Sequence, residues 1–265
     1  MGRVALISDI HGNHVALEAV LADIACQGAE AVYCLGDIVG YGPMPIECMR
    51  TVFRTCRREH MIMGNHDHAV IHEPVGFNKS ARMAALWTNK VAKPGMLSLF
   101  GNKRLHWSLL CGLPTVMHSR DGDVVYVHAS PRQHLEEYLL EELTKGISLT
   151  GEDPQQMLRG NFDLVKHTCF VGHTHRPGVI TGDDFKWHSL PELDYHWTID
   201  PRKTIINIGS VGQPRDGDPR ACYVLWDGQE VIWRRVDYDI EKTRAQIRAI
   251  PSLEDRLGDR LLEGR

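Results

Sequence analysis

The sequence predicts an α/β fold that starts as parallel strands with helical crossovers and finishes as antiparallel strands. Two apolar runs near the start, Val4-Ala5-Leu6-Ile7 and Ala31-Val32-Tyr33-Cys34-Leu35, are each followed by a segment of helical periodicity. That β-α-β-α order implies parallel pairing. Late in the chain, short apolar runs are joined by tight glycine-containing turns such as Trp226-Asp227-Gly228-Gln229, as in a meander.

Taken in order, Val15, Leu17, Val20, Leu21 and Ile24 recur at helical spacing after the first strand and stop near Gly28. The second strand leads into a glycine-rich loop, Val39-Gly40-Tyr41-Gly42-Pro43, and then a helix from about Pro45 to Arg57. Between Asp67 and Leu113 the pattern turns helical, with one helix over Ser80–Val91, a shorter one over Met96–Phe100 and an apolar run over Leu105–Leu110. This excursion, about residues 70–115, is either a packed crossover or a roof over a site. Val116-Met117-His118 and Val124-Val125-Tyr126-Val127 flank Asp121-Gly122-Asp123, a hairpin signal. Residues 130–160 read as helix or loop. Strands are expected at Thr168–Val171, Phe185–Leu190, Thr204–Ile208, Tyr223–Trp226 and Val231–Val236, the late ones completing a second sheet as an antiparallel meander. Helices from about Asp239 and around Leu253–Leu262 close the chain. No linker interrupts the series, so residues 1–265 are expected to form a single domain.

Charge narrows the functions. A net charge of −4 gives no global attraction to nucleic acid or anionic membrane. Arg50, Arg54, Arg57 and Arg58 have the spacing of a solvated helix face. The seven cysteines are odd in number and scattered, which predicts reduced thiols. With the first strand starting almost at Met1 and no apolar stretch of spanning length, the expectation is a cytoplasmic protein without a signal peptide or membrane partner.

Five short motifs carry the chemistry: Asp9-Ile10-His11, Gly36-Asp37, Gly64-Asn65-His66-Asp67, His128, and Gly172-His173-Thr174-His175. Each follows an apolar run, the weakest being His60-Met61-Ile62-Met63. If those strands share a sheet, their C-terminal ends bring Asp9, His11, Asp37, Asn65, His128, His173 and His175 to one edge, where open α/β sheets bind ligands. Alternation along an extended segment would aim residues i and i+2 of Asp-x-His and His-x-His the same way. Mixed imidazole, carboxylate and amide ligands suit Mn, Fe, Zn, Ni or Co. Two such ions about 3.5–4 Å apart acidify a shared water and clamp an in-line displacement at phosphorus.

The order and wording of these motifs resemble the calcineurin-like metallophosphoesterase superfamily over roughly residues 3 to 215. The resemblance implies a pair of packed mixed β-sheets flanked by helices, a four-layer α-β-β-α sandwich. It also implies that Asp9, His11, Asp37 and His175 hold the first of two divalent ions. Asp37 would bridge, and Asn65, His128 and His173 would complete the second. The nucleophile would be a metal-bridging hydroxide. His66 would be the general acid beside the substrate phosphate, oriented by Asp67. The resemblance runs to the small prokaryotic phosphodiesterase-like branch, where an Asn follows DxHG, as Asn13 does, and a GS-x-G-x-PR segment appears late, as Gly209–Arg215 does. The absence of an arginine after Gly36-Asp37, Asp67 in place of Glu, and Ala129-Ser130 after His128 argue against protein phosphatases and symmetric dinucleoside tetraphosphatases.

Around this core, Asn13 is a helix N-cap or a phosphate contact. Tyr41 is a stacking platform for substrate or a packing residue. Arg176 and Arg215 are phosphate ligands or salt-bridge partners. His68 and His72 read as surface imidazoles, with a third metal site as the alternative. The expected function is metal-dependent hydrolysis of small phosphoesters, most simply phosphodiesters. A phosphomonoesterase or nucleotide phosphatase with the same centre is the alternative. A non-catalytic scaffold, like the retromer subunit of the superfamily, would not need the intact His66.

Overall fold

Alternation along the strands sorts their side chains into separate interfaces, and this builds the layers. The computed structural model describes residues 2–95, 102–148 and 150–265. One sheet has five strands in the order β2-β1-β10-β11-β8: β2 (Ala31–Cys34), β1 (Val4–Ile7), β10 (Ala221–Trp226), β11 (Glu230–Val236) and β8 (His196–Thr198). The other has six in the order β3-β4-β5-β9-β6-β7: β3 (Val116–His118), β4 (Val124–Val127), β5 (Thr168–Val171), β9 (Thr204–Asn207), β6 (Gly178–Thr181) and β7 (Trp187–Ser189). Both are mixed, with β1 parallel to β2 but antiparallel to β10, and β5 parallel to β4 and β9.

Val4 and Leu6 of β1, Val224 and Trp226 of β10, Tyr126 of β4 and Phe170 of β5 share the core between the sheets. Their neighbours face outward. Ala5, Ile7, Tyr223 and Leu225 pack under the helices His14–Cys26 and Pro45–Thr55. Val125, Val127, Cys169 and Val171 pack under Glu141–Thr144 and Pro154–Asp163. The period of two thus places one residue in each layer boundary. Strands buried on both faces read as unbroken apolar runs, as they do here.

The late strands do not form one meander. β9 inserts beside β5 in the six-stranded sheet, whereas β10 and β11 complete the five-stranded sheet next to β1. The segment Ile208–Arg215 makes the crossing, with Ile208 N–H donating to Val171 O at 2.9 Å and Val211 N–H to Ser8 O at 3.0 Å. β6 and β8 lie outside the sequence-predicted strands, and the Phe185–Leu190 strand is the shorter β7. The predicted helix over Met96–Phe100 lies outside the described residues. Helices at Lys79–Ala92 and Lys103–Cys111 occupy the excursion. No helix among the described residues is long and apolar enough to cross a membrane.

Asp23 ties the first helix to the sheet beneath it. Tyr223 Oη donates to its Oδ2 at 2.6 Å, and Arg234 donates from Nε at 3.1 Å and from Nη2 at 2.8 Å. The Arg234 hydrogen bonds hold the Asp23 carboxyl below its ordinary value against the opposing effect of burial. A depressed folded-state pKa means stabilisation that is full above the ordinary carboxylate range and lost as pH falls through the depressed value. Asp23→Asn is therefore expected to cost about 1–2 kcal/mol at neutral pH, discounted for solvent screening of the half-exposed pair. Urea midpoints measured down the acid limb should converge with those of the unsubstituted protein, and a pH-independent gap would exclude the charge as the cause.

Candidate active site

Four of the five metal-ligand motifs sit just past a strand, whereas Gly64–Asp67 follows a segment that pairs with Cys34 at Met61 alone, and at five of the ligands the backbone leaves the extended conformation. Asp9 (φ 54°), His11 (50°), Asp37 (52°), His173 (62°) and His175 (60°) all lie in the left-handed region. The Asp-x-His and His-x-His pairs therefore share a direction through successive left-handed turns, not through strand alternation. Such residues cost free energy individually and persist where surroundings over-determine them. The surroundings here are backbone hydrogen bonds between loops. Asp9 N–H donates to Gly36 O at 3.1 Å, His11 N–H to Asp37 O at 2.9 Å, and Gly212 N–H to Asp9 O at 2.9 Å. Gly64 and Gly172 are required by close approach, since a Cβ at either would overlap the carboxylate of Asp37 or Asp9 respectively.

The seven side chains expected as ligands converge. His175 Nε2 lies 3.1 Å from Asp9 Oδ1 and 3.0 Å from His11 Nε2. His128 Nε2 lies 3.3 Å from Asp37 Oδ2 and 3.1 Å from Asn65 Oδ1, and His173 Nδ1 is 3.1 Å from the same Asn65 oxygen. Asp9, His11 and His175 form one group with ligand atoms within 4.8 Å of one another, and Asp9, Asp37 and His128 form another. His11, Asp37 and His66 form a third, so His66 stands within the same shell of lone pairs.

The donor set fits divalent cations. His128 Nδ1 lies 2.8 Å from Leu35 O and His175 Nδ1 lies 2.5 Å from Gln213 O. Each ring donates there and turns its Nε2 lone pair inward, the arrangement that orients metal-binding imidazoles. Asp37 Oδ2 is buried without a hydrogen-bond partner, and His11 Nε2 faces it at 3.6 Å and Asp9 Oδ1 at 3.8 Å. Buried acceptors aimed at one another need positive charge between them. Although burial works to raise it, His175 and His128 hold Asp9 at about 2. Burial opposes charge on His128, yet Asp37 pushes it up to about 9. A divalent ion would take the place of that proton.

His66 lies in the first turn of the helix Asn65–Ile71 and borders a cavity of about 380 Å³ lined also by Tyr41, Asn65, Val75, Phe77, Tyr138 and His173. Tyr41 packs at 4.4 Å and Phe77 at 4.8 Å between ring centroids. Burial pushes His66 down to about 4, partly offset by Asp37, so a proton on this ring depends on the negative charge of a bound ligand. Its Nδ1 is buried and without a hydrogen-bond partner.

One expectation is corrected, and the alternatives left open for Asn13 and Arg176 are resolved. Asp67 does not orient His66: its oxygens accept from Val39 N–H at 3.0 Å and Gly64 N–H at 3.1 Å, locking the Gly36–Val39 loop to the helix start. Burial and Asp37 push its carboxyl up to about 7. Asn13 is the N-cap, accepting from Ala16 N–H at 3.2 Å while donating to Gly212 O at 3.0 Å, so its amide is engaged within the fold. Arg176 points away, exposed and bonded to Glu142 at 3.1 Å. Tyr41 and Arg215 do reach the site, the Arg215 guanidinium lying 5.7 Å from the Tyr41 ring centroid. Tyr138, 4.1 Å from the His173 ring, and Phe77 had no sequence signal beyond their apolar character. Residues 75–81 of the excursion supply Val75, Phe77, Asn78 and Ala81 to the cavity wall.

Comparison with known proteins gives three likenesses alongside a family match. The family model described as calcineurin-like phosphoesterase matches residues 2–177. An uncharacterized protein of Methanocaldococcus jannaschii is 35% identical over 272 residues, covering 99% of this chain and 98% of its own. The crystal structure of a metallophosphoesterase from Sphaerobacter thermophilus has a TM-score of 0.80 and 36% identity, covering 99% of this chain and 100% of that one. The symmetrical bis(5'-nucleosyl)-tetraphosphatase of Neisseria meningitidis is 30% identical over 155 residues, 58% of this chain and 50% of that protein.

Proposed function

Since the chain belongs to the calcineurin-like phosphoesterase family and is accordingly a metal-dependent phosphoester hydrolase, we propose that it cleaves small phosphodiesters at a two-metal centre. The observation that carries this reading is the convergence of buried lone-pair atoms from Asp9, His11, Asp37, Asn65, His128, His173 and His175 beside one cavity. Asp9, His11 and His175 would hold one ion, and Asn65, His128 and His173 the other, with Asp37 shared. Bound divalent ions supply charge neutralisation at phosphorus and acidify water.

The chain's own residues do the rest. Leu35 O and Gln213 O fix two imidazole tautomers. With Nδ1 of His66 buried, Nε2 is the atom that donates a proton to the leaving oxygen. Phe77 packs edge-on and Tyr41 tilted against the His66 ring, which fixes its place. Asp67 acts as a positioning residue by clamping the loop that carries Asp37. Val75, Phe77, Ala81 and Tyr138 give the cavity apolar walls, which suit an ester substituent on either side of the phosphate. The cavity size suits a small substrate more than protein or duplex nucleic acid.

Chelator-stripped protein resupplied in turn with Mn, Ni, Co, Zn and Mg is expected to cleave bis-p-nitrophenyl phosphate faster than p-nitrophenyl phosphate. A monoester preference would replace the diester reading with a phosphatase. No turnover of either ester with any metal would remove the hydrolytic reading of this site.

A further inference from the structure

Beyond the proposed metal ligands and His66, the wall of the His66 cavity carries a single formal charge, and it is negative. Among the described residues that line this cavity, Glu136 is the one carboxylate, and none is a lysine or an arginine. The arginines nearby are engaged elsewhere. Arg176 bonds to Glu142 at 3.1 Å, and Arg215 donates to Gln213 Oε1 at 3.2 and 2.6 Å. Arg260 lines a separate cavity of about 340 Å³ beside Tyr41 and donates to Arg265 O.

The loop that follows His128 presents Glu136 to this space. Its neighbour Glu137 is buried, accepting from Ser130 Oγ at 2.7 Å and Asn161 Nδ2 at 2.6 Å and pairing with Arg132. With Glu137 pinned inward, the residues on either side of it, Glu136 and Tyr138, are exposed, and both line the cavity. Glutamates along the same stretch have cationic partners: Glu137 has Arg132, Glu141 has Lys145 and Glu142 has Arg176. Among the described residues no cation pairs with Glu136.

Aromatic rings share the space with this carboxylate. Tyr138 packs 4.1 Å from the His173 ring and Phe77 4.8 Å from the His66 ring, and both line the same cavity as Glu136. Ring faces attract alkylammonium groups, and a carboxylate beside them adds a full opposite charge. The same carboxylate repels a second phosphate or the dianion of a monoester, which is discrimination by an unfavourable contact.

We propose that Glu136 is a specificity-determining residue which, with Tyr138 and Phe77, seats an ammonium-bearing ester substituent. The substrate class is then small phosphodiesters with an alkylammonium group on one side of the phosphate. This rests on the reading that a phosphodiester is bound in the His66 cavity.

The test compares p-nitrophenyl phosphorylcholine with p-nitrophenyl 3,3-dimethylbutyl phosphate, in which carbon replaces the ammonium nitrogen, on manganese-loaded full-length protein. In both, water adds at phosphorus and p-nitrophenolate leaves, so the pair differs in charge and not in shape or leaving group. kcat/KM is expected to be about fivefold higher or more for the choline ester, carried by KM. Glu136→Gln should bring that ratio near one and Glu136→Lys below one, the neutral ester serving as the reference within each protein. Equal values for the two esters in the unsubstituted protein would overturn the proposal whether or not either variant folds. So would an undiminished ratio in folded Glu136→Gln. Titration calorimetry with the same esters separates this from the hydrolytic reading. Tighter binding of the choline ester without turnover would sink hydrolysis and leave the role of Glu136 standing. Turnover without preference would remove that role alone, and equal binding without turnover would sink both.

Discussion

Asp37→Ala is expected to abolish stable metal binding, with activity falling below about one hundredth of the original. Asp37 Oδ2 lies 3.3 Å from His128 Nε2 and 3.6 Å from His11 Nε2, while Oδ1 accepts the His66 N–H at 2.7 Å. One carboxylate thus faces ligands assigned to both ions and anchors the helix that carries the acid. Removing it leaves the imidazoles crowded without their main negative charge, so each cation meets less compensation and the His66 backbone loses its acceptor. Elemental analysis after gel filtration reads the first effect directly. Thermal unfolding reads it again through linkage: a ligand at 100 times its Kd stabilises the folded state by about 2.7 kcal/mol. Chelator should therefore lower the Tm of the original protein and leave that of Asp37→Ala unmoved. Retention of both ions by the variant would sink the shared-ligand assignment.

His66→Ala should behave in the opposite way, keeping its metal while turnover falls by about 10²–10⁴-fold. The ring borders the cavity, and its backbone N–H, the part that holds Asp37, survives the substitution. The loss should be smaller for esters with good leaving groups, because a p-nitrophenolate needs little help from an acid. A comparison of p-nitrophenyl and alkyl diesters in the two proteins checks this. Because His66 also groups with His11 and Asp37, metal content decides its role, and loss of an ion on substitution would make it a ligand instead of the acid.

What the sequence revealed and what it hid divide along a physical line. The seven converging side chains were visible because each stands at the end of a local apolar run. The expectation of one shared sheet is corrected, since β1 and β2 belong to the five-stranded sheet and β4 and β5 to the six-stranded one, and the ligands meet where the two packed sheets bring those strand ends together. The helix starting at His14, the helix at Lys79–Ala92 and the 116–127 hairpin were visible for the same reason: period and turn chemistry are local. Sheet membership is not local. Nothing in Thr204–Asn207 or Ala221–Trp226 distinguishes a strand that joins β5 from one that joins β1, so the late strands were misassigned as a single meander. β6, four residues beginning with glycine, offers no alternation to read because both its faces are buried. Arg176 and Arg260 show the same limit among charges. Arg176 adjoins a ligand in sequence yet points to Glu142, while Arg260 lies far along the chain and borders the cavity beside Tyr41. Asp67 looked like an imidazole partner because it is the next residue, but on a helix adjacent side chains diverge, and its carboxylate turns back to the Gly64 amide.

The placement of β10 between β1 and β11 has a consequence for how the protein comes into being. All seven proposed ligands have been synthesised by His175, yet Val4, Ala5 and Leu6 find their antiparallel neighbour only in Val224–Trp226. Gln213, whose carbonyl fixes the His175 tautomer, also arrives late. A nascent chain that has just released His175 from the ribosome owns the full ligand set but lacks the strand and loop that brace the turns carrying it. Pairing partners so distant in sequence close slowly, after most of the chain is available. The turns that carry the proposed ligands are therefore braced by partners, Gln213 and Val224–Trp226, that follow every one of those ligands in the chain.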